Sequence, residues 1–245
     1  MWFVLAAACV STPNEDLTAL APLPTGRAVV RSCPGPTRRM PTGPMLRPSE
    51  VDAGAFADFA LAPRPADGQL DLTLVLDRSG SMEEEGRMNT VKAGIKATAG
   101  RLTRGDRLSV VLFDNEPCTP LEGYVVGRDD PGILADVVAS VRPRGSTNLP
   151  GGLHEAYRVA TRDTDLSDTA RLRRILLVTD ALLDEADVPA ATTEEVERAW
   201  TLYRIRLSAL AVGRRADGPL LQTLAARAQG RYGVIGVAEP EQARR

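Results

Sequence analysis

From Leu70 onward, apolar residues follow two alternating rhythms. LDLTLVLD (70–77) is a nearly continuous run rich in leucine and valine, the pattern of a strand buried on both faces. Across 87–102 the spacing changes: Val91, Ile95, Thr98/Ala99 and Leu102 recur at helical intervals. A second buried strand follows in DRLSVVLFD (106–114), then a short edge strand around 121–126. Ile133, Leu134, Val137, Val138 and Val141 mark a helix with Pro131 in its first turn. Leu149, Leu153, Ala156, Tyr157 and Ala160 give another helical stripe, and RRILLVTD (173–180) a third buried strand. Val196, Ala199, Trp200 and Tyr203 fit a helix packing on the sheet, followed by a strand in RLSALAVG (206–213). Leu220, Leu221, Leu224 and Ala228 predict a last helix before a short strand in RYGVIG (231–236). Strands and helices thus alternate, which predicts an α/β fold: a doubly wound, mostly parallel central sheet with helices on both faces.

Residues 11–69 have a different character. APLPTG, SCPGPTRRMPTGPMLRPSE and LAPRPADG punctuate them with proline and glycine, which break helices and strands alike. VDAGAFADFAL (51–61) reads as a short helix or an extended docking segment using Phe56, Phe59 and Leu61. The expected division is a segment and tether over 1–67, one domain over 68–240 and a tail over 241–245.

The first ten residues, MWFVLAAACV, are too short to span a bilayer as a helix and lack a basic leading region. The run resembles the end of a bacterial lipoprotein signal, in which Cys9 is the lipid-modified cysteine. Only eight residues precede it, and Ala6 stands where such signals usually carry leucine; a start placed too far downstream would account for both. The alternative is an apolar N-terminus of a soluble protein. Cys33 and Cys118 are a candidate disulfide in an oxidising compartment or two free thiols.

Composition narrows the chemistry. Thirty Lys+Arg against 32 Asp+Glu leave a net charge of −2, with no field to attract a polyanion. One histidine and three cysteines leave little for a Cys/His metal cluster, so a bound metal would be a hard ion on oxygen ligands. In open α/β sheets, ligands bind beyond the carboxyl ends of the strands. The first strand delivers Asp77-Arg78-Ser79-Gly80-Ser81-Met82 to that end, the third delivers Thr179-Asp180, and Ser146-Thr147-Asn148 enter a helix between them. Carboxylates and hydroxyls of this kind suit Mg²⁺ or Mn²⁺, partly completed by water.

Asp77-x-Ser79-x-Ser81, Thr147 and Asp180, in that order, resemble the metal-ion-dependent adhesion site of the von Willebrand factor type A domain. The resemblance covers about residues 68–240 and implies a Rossmann-like three-layer sandwich. It implies that Ser79 and Ser81 coordinate the ion through their hydroxyls, and Thr147 directly or through water. Asp77 and Asp180 would act mainly through water. The remaining coordination position would accept an Asp or Glu carboxylate from a protein partner, at the cell envelope if Cys9 is lipidated. The chain departs from the family in having Ala181, where glycine is common after the aspartate.

Neutral hydroxyl ligands would leave the ion's charge largely uncompensated and receptive to an incoming carboxylate, while carboxylates one shell back tune its affinity. Competing readings are weaker. A hydrolase using Ser79 or Ser81 with His154 lacks the G-x-S-x-G turn, and a metal phosphatase lacks the Asp-x-Asp pair because position 79 is serine. A scaffold with a vestigial site is the remaining alternative. Glu83, Glu84 and Glu85 read as favourable charge near a helix start or as an auxiliary cation position, and Asp184, Glu185 and Asp187 as an acidic loop. His154 reads as a helix-surface or partly packed histidine.

Overall fold

The structure, a computed structural model, describes residues 28–35, 50–64, 68–162, 171–180, 188–213 and 218–236. Cys9, Ala181, Asp184, Glu185 and Asp187 lie outside the described residues. The elements run β1 (Val29–Val30), α1 (Glu50–Leu61), β2 (Leu70–Asp77), a 3₁₀ segment (Gly80–Gly86), α2 (Arg87–Ala99), β3 (Arg107–Phe113), β4 (Pro117–Val125) and α3 (Pro131–Ser140). They continue as α4 (Leu149–Arg162), β5 (Leu172–Thr179), α5 (Ala190–Tyr203), β6 (Arg206–Val212), α6 (Pro219–Arg227) and β7 (Tyr232–Ile235).

The strands form one sheet in the order β1-β4-β3-β2-β5-β6-β7. β3, β2, β5, β6 and β7 are parallel, while β4 runs antiparallel to both β3 and β1. This is the mostly parallel, doubly wound α/β sandwich that the alternating pattern predicts.

The continuous apolar runs are explained by the two covered faces. In β2, Leu70, Leu72, Leu74 and Leu76 pack with Val91 and Ile95 of α2, Leu134 and Val137 of α3, and Phe56 of α1. Val75 points the other way, joining Val111, Ile175 and Leu177 against Leu149 and Leu153 of α4, Val196 of α5 and Leu224 of α6. Successive side chains alternate across a strand, so a strand covered on both faces needs apolar residues at nearly every position. Trp200 and Tyr203 lie at the margin of this second layer, partly buried.

Two elements change the picture drawn from sequence. β4 is longer than the edge strand expected around 121–126, and it is an inner strand because Val29 and Val30 pair with Glu122 and Leu121 beyond it. Proline-rich flanks hid this two-residue strand: so short a run carries no periodicity, and its pairing partner lies about ninety residues away in sequence. Cys33 and Cys118 form a disulfide that staples this strand's exit to β4.

The other element is α1, which settles the choice between helix and extended segment at 51–61. Phe56 is wholly buried. It sits so close to α2 that a Cβ on Gly94 would come within 2.3 Å of the Phe56 ring, so only glycine lets the two helices approach. Substituting Phe56→Ala should therefore cost about 3–5 kcal/mol of stability, the usual cost of emptying a buried phenylalanine site. Urea denaturation followed by circular dichroism checks this; an unchanged midpoint would mean that α1 contributes nothing to the domain.

Candidate metal centre

The parallel strands bring the first and third loops together. β2 pairs with β3 up to Asp77–Phe113 and with β5 up to Leu76–Val178, so the residues that follow β2 and β5 emerge side by side. Asp77 is wholly buried at the end of β2. Its Oδ1 accepts a 2.7 Å hydrogen bond from the Ser79 amide, and its Oδ2 accepts one of 2.5 Å from the Thr179 hydroxyl. Burial pushes the Asp77 carboxyl up to about 6, with Asp180 adding to the rise; the hydrogen bonds from Thr179 and Ser79 oppose it.

Past Asp77, the chain curls into the 3₁₀ segment with Met82 N–H donating to the Ser79 carbonyl at 3.1 Å. This turn puts the Ser79 and Ser81 hydroxyl oxygens 3.0 Å apart. Ser81 donates to Asp180 Oδ1 at 2.9 Å. With its only hydroxyl hydrogen committed there, Ser81 accepts from Ser79. Four of the five residues singled out by sequence thus share one hydrogen-bonded network, with both serine oxygens retaining lone pairs.

Thr147 is brought to the same end of the sheet by different means. Its loop is docked on the first one by Gly80 N–H donating to the Gly145 carbonyl at 3.1 Å and Arg144 N–H to the Arg78 carbonyl at 2.5 Å. Asn148 N–H donates to the Asp114 carbonyl at 2.7 Å as α4 begins. Among the described residues, the Thr147 hydroxyl makes no hydrogen bond to the other four.

Several functional neighbours escaped the sequence reading. Asp114, wholly buried at the end of β3, pairs with Arg78 Nη2 at 2.8 Å and with Arg144 Nε at 2.7 Å, clamping the first and second loops together. Burial lowers the Arg78 pKa, and Asp114 works against that. Arg78 Nη1 and Arg144 Nη1 also donate to the carbonyls of Pro34 and Gly35, just past the disulfide, at 3.0 and 2.9 Å.

A further cation lies on the site itself. Arg87 Nη1 donates to Asp180 Oδ2, and Arg87 Nη2 to Glu85 Oε2 at 3.1 Å. Glu84 and Glu85, just ahead of α2, both pair with Arg87. The signal that could have found Arg87 is its place: it opens α2, where the helix dipole disfavours a positive charge unless carboxylates lie close by.

His154 is exposed on α4, with Nδ1 2.9 Å from Glu195 Oε1, as a helix-surface histidine would be. Among the described residues, no group of three or more His, Cys, Asp or Glu side chains is placed to hold a metal, so any metal here would depend on the hydroxyls.

A doubly wound sheet carrying a cluster of carboxylate and hydroxyl oxygens at the carboxyl ends of its central strands defines the class of this protein. Residues 70–234 match the von Willebrand factor type A domain, and the chain belongs to that family. Over 200 residues it is 27% identical to the "Uncharacterized protein sll0103" of Synechocystis sp., covering 78% of this chain and 46% of that protein. The chain thus spans about half the length of this curated relative.

Among solved structures, it resembles a von Willebrand factor type A protein from Catenulispora acidiphila (21% identity, TM-score 0.57, 69% of this chain and 39% of that one). It also resembles proximal thread matrix protein 1 of the mussel byssus, solved with zinc in its MIDAS motif (17% identity, TM-score 0.53, 69% and 42%). At these identities the structures show a common fold. Family membership supports a general role in binding other proteins.

The loop clamp predicts a stability effect. Asp114→Asn should leave Arg78, whose side chain is 5% exposed, buried without its counter-charge, and should cost about 3–5 kcal/mol. Chemical denaturation of the two proteins measures this, and a loss below about 1 kcal/mol would show that the loops do not rely on the clamp.

Proposed function

We propose that this chain is a divalent-metal-dependent protein-binding module that captures a partner's Asp or Glu carboxylate. The residues that would hold Mg²⁺ or Mn²⁺ are Ser79, Ser81 and Thr147 through hydroxyls, with Asp77 and Asp180 behind them.

The observation that carries this reading is the pair of serine oxygens 3.0 Å apart, oriented by a buried carboxylate. Two neighbouring oxygens around an octahedral ion bound at 2.0–2.1 Å stand about 3 Å apart, so the pair suits adjacent coordination positions. Hydroxyl and carboxylate oxygens are also the ligands that hard ions prefer. When bound, the ion supplies a positive charge that an incoming carboxylate can neutralise. Ser81 keeps its hydrogen on Asp180, which leaves its oxygen a lone pair beyond the one that Ser79 uses, and Asp77 holds the loop through the Ser79 amide. The zinc-occupied motif of the mussel protein lends support by fold analogy. The hydrolase reading finds less: the only histidine of the chain is engaged with Glu195 on the surface of α4.

We place the module at a bacterial cell envelope, where Cys9 would carry the lipid. The Cys33–Cys118 disulfide supports an oxidising compartment. No helix among the described residues is long and apolar enough to cross a membrane. Expression in a lipoprotein-competent bacterium from an extended upstream start should give a diacylglyceryl mass increment on Cys9, and an unmodified thiol there would refute the anchor.

Calorimetric titration of the full chain with Mg²⁺ and Mn²⁺ should give one site. The Ser79→Ala/Ser81→Ala double variant should lose it, while Asp180→Asn should weaken it by roughly 10- to 100-fold. Binding of neither ion by the well-folded wild type would overturn the metal-dependent reading.

A further inference from the structure

The metal reading leaves one interaction without a role, the pairing of Arg87 with Asp180. Arg87 is buried, and its partner side chain is 1% exposed, so the pair meets in a poorly solvated place. Its Nη1 also donates to the Ser81 carbonyl at 3.2 Å, which fixes the guanidinium against the ligand loop. Room for it is made by Gly213 at the end of β6. The backbone there has φ +112°, and a Cβ would stand 2.8 Å from Arg87 Nε, so a side chain at 213 would both strain the backbone and displace the arginine.

Other carboxylates do not account for Arg87's position. Glu85 and Glu84 are 39% and 69% exposed, and water and salt screen their pairing with it. Arg87 Nε is buried and has no hydrogen-bond partner among the described residues. The guanidinium's strongest engagement is the one with Asp180.

We propose that Arg87 is a specificity-determining residue of this site: its guanidinium competes with the divalent ion for Asp180, keeps ion affinity low and makes stable occupancy depend on a carboxylate from the partner. The inference rests on the metal-dependent reading above.

The charges show why. Among the buried groups, Asp77 and Asp180 together present two negative charges to an ion, and Arg87, whose remaining partners Glu84 and Glu85 are exposed and screened, offsets one. A divalent cation then leaves the site with one positive charge in excess, which a single incoming carboxylate neutralises. With Arg87 removed, the two aspartates alone balance the ion, and the added carboxylate becomes a surplus negative charge. In a site of low effective dielectric, one like charge beside the ion outweighs a surface ion pair many times over. Arg87 thus shifts selectivity from the ion alone to the ion and carboxylate together.

The test is a Mn²⁺ titration of the full chain, followed by electron paramagnetic resonance, with and without acetate as the carboxylate probe. R87Q should bind Mn²⁺ roughly tenfold or more tightly than wild type, the size of effect common for groups just behind a metal's ligands. Acetate should tighten Mn²⁺ binding in wild type and do so less in R87Q. R87K, which keeps the charge but loses the planar fork, should fall between them.

If wild type binds Mn²⁺ and a folded R87Q binds it no more tightly, the competition is overturned while the metal site stands. If neither protein binds, both readings fall. Should R87Q fail to fold, the wild type carries the test alone. Adding Mg²⁺ should move the Arg87 Nε–Hε signal in ¹⁵N spectra, assigned through R87K, and an unmoved signal at saturating ion would overturn the proposal.

Discussion

A carboxylate buried at the end of the central strand is the constraint on which this site depends. Asp77 lies in the middle of the sheet, where water cannot solvate it, and an ionised group there is costly unless hydrogen bonds meet it. The Ser79 amide meets one oxygen and the Thr179 hydroxyl the other. The first of these contacts sets the turn that presents the two serines. The second ties β2 to β5, the strand that delivers Asp180. Satisfying one buried carboxylate thereby brings most of the candidate ligands together, and the turn that does so faces their hydroxyl oxygens toward one another.

Around that centre, charge is arranged in pairs that join loops from different parts of the chain. Asp114 links Arg78 and Arg144, and hence the Ser79 turn to the Thr147 loop. Arg87 links α2 to the end of β5 through Asp180. Pairs of this kind contribute little net stability, because both partners surrender water to form them, but breaking one strands a charge. Their effect is geometric: they choose one relative placement of three loops that hydrophobic packing of the two helical layers would leave free.

The N-terminal region belongs to the same logic. The disulfide fixes Cys33 to β4, and the carbonyls just beyond it accept hydrogen bonds from the two arginines that Asp114 clamps. A segment rich in proline and glycine thus completes the sheet edge and approaches the loop system. Proline-glycine punctuation reports only that regular structure is interrupted. It does not report whether the interrupted chain packs, and α1, with Phe56 set against Gly94, packs closely.

Local patterning was enough for the layered architecture, because residues such as Leu72, Leu74 and Leu76 on one face and Val75 on the other carry their burial in their spacing. It was enough also to bring the loops at 77–82, 146–148 and 179–180 to one end of the sheet, and the family resemblance singled out Asp77, Ser79, Ser81, Thr147 and Asp180 within them. Tertiary structure alone decided what those residues face. The Ser81–Asp180 bond spans 99 positions, the Arg87–Asp180 bond 93 and the disulfide 85. Periodicity is a short-range property set by how a backbone repeats every two or 3.6 residues, whereas a charge pair or a disulfide forms between whichever groups the sheet order places side by side. For this reason, the candidate oxygen ligands could be read along the chain, and the arginine paired with Asp180 could not.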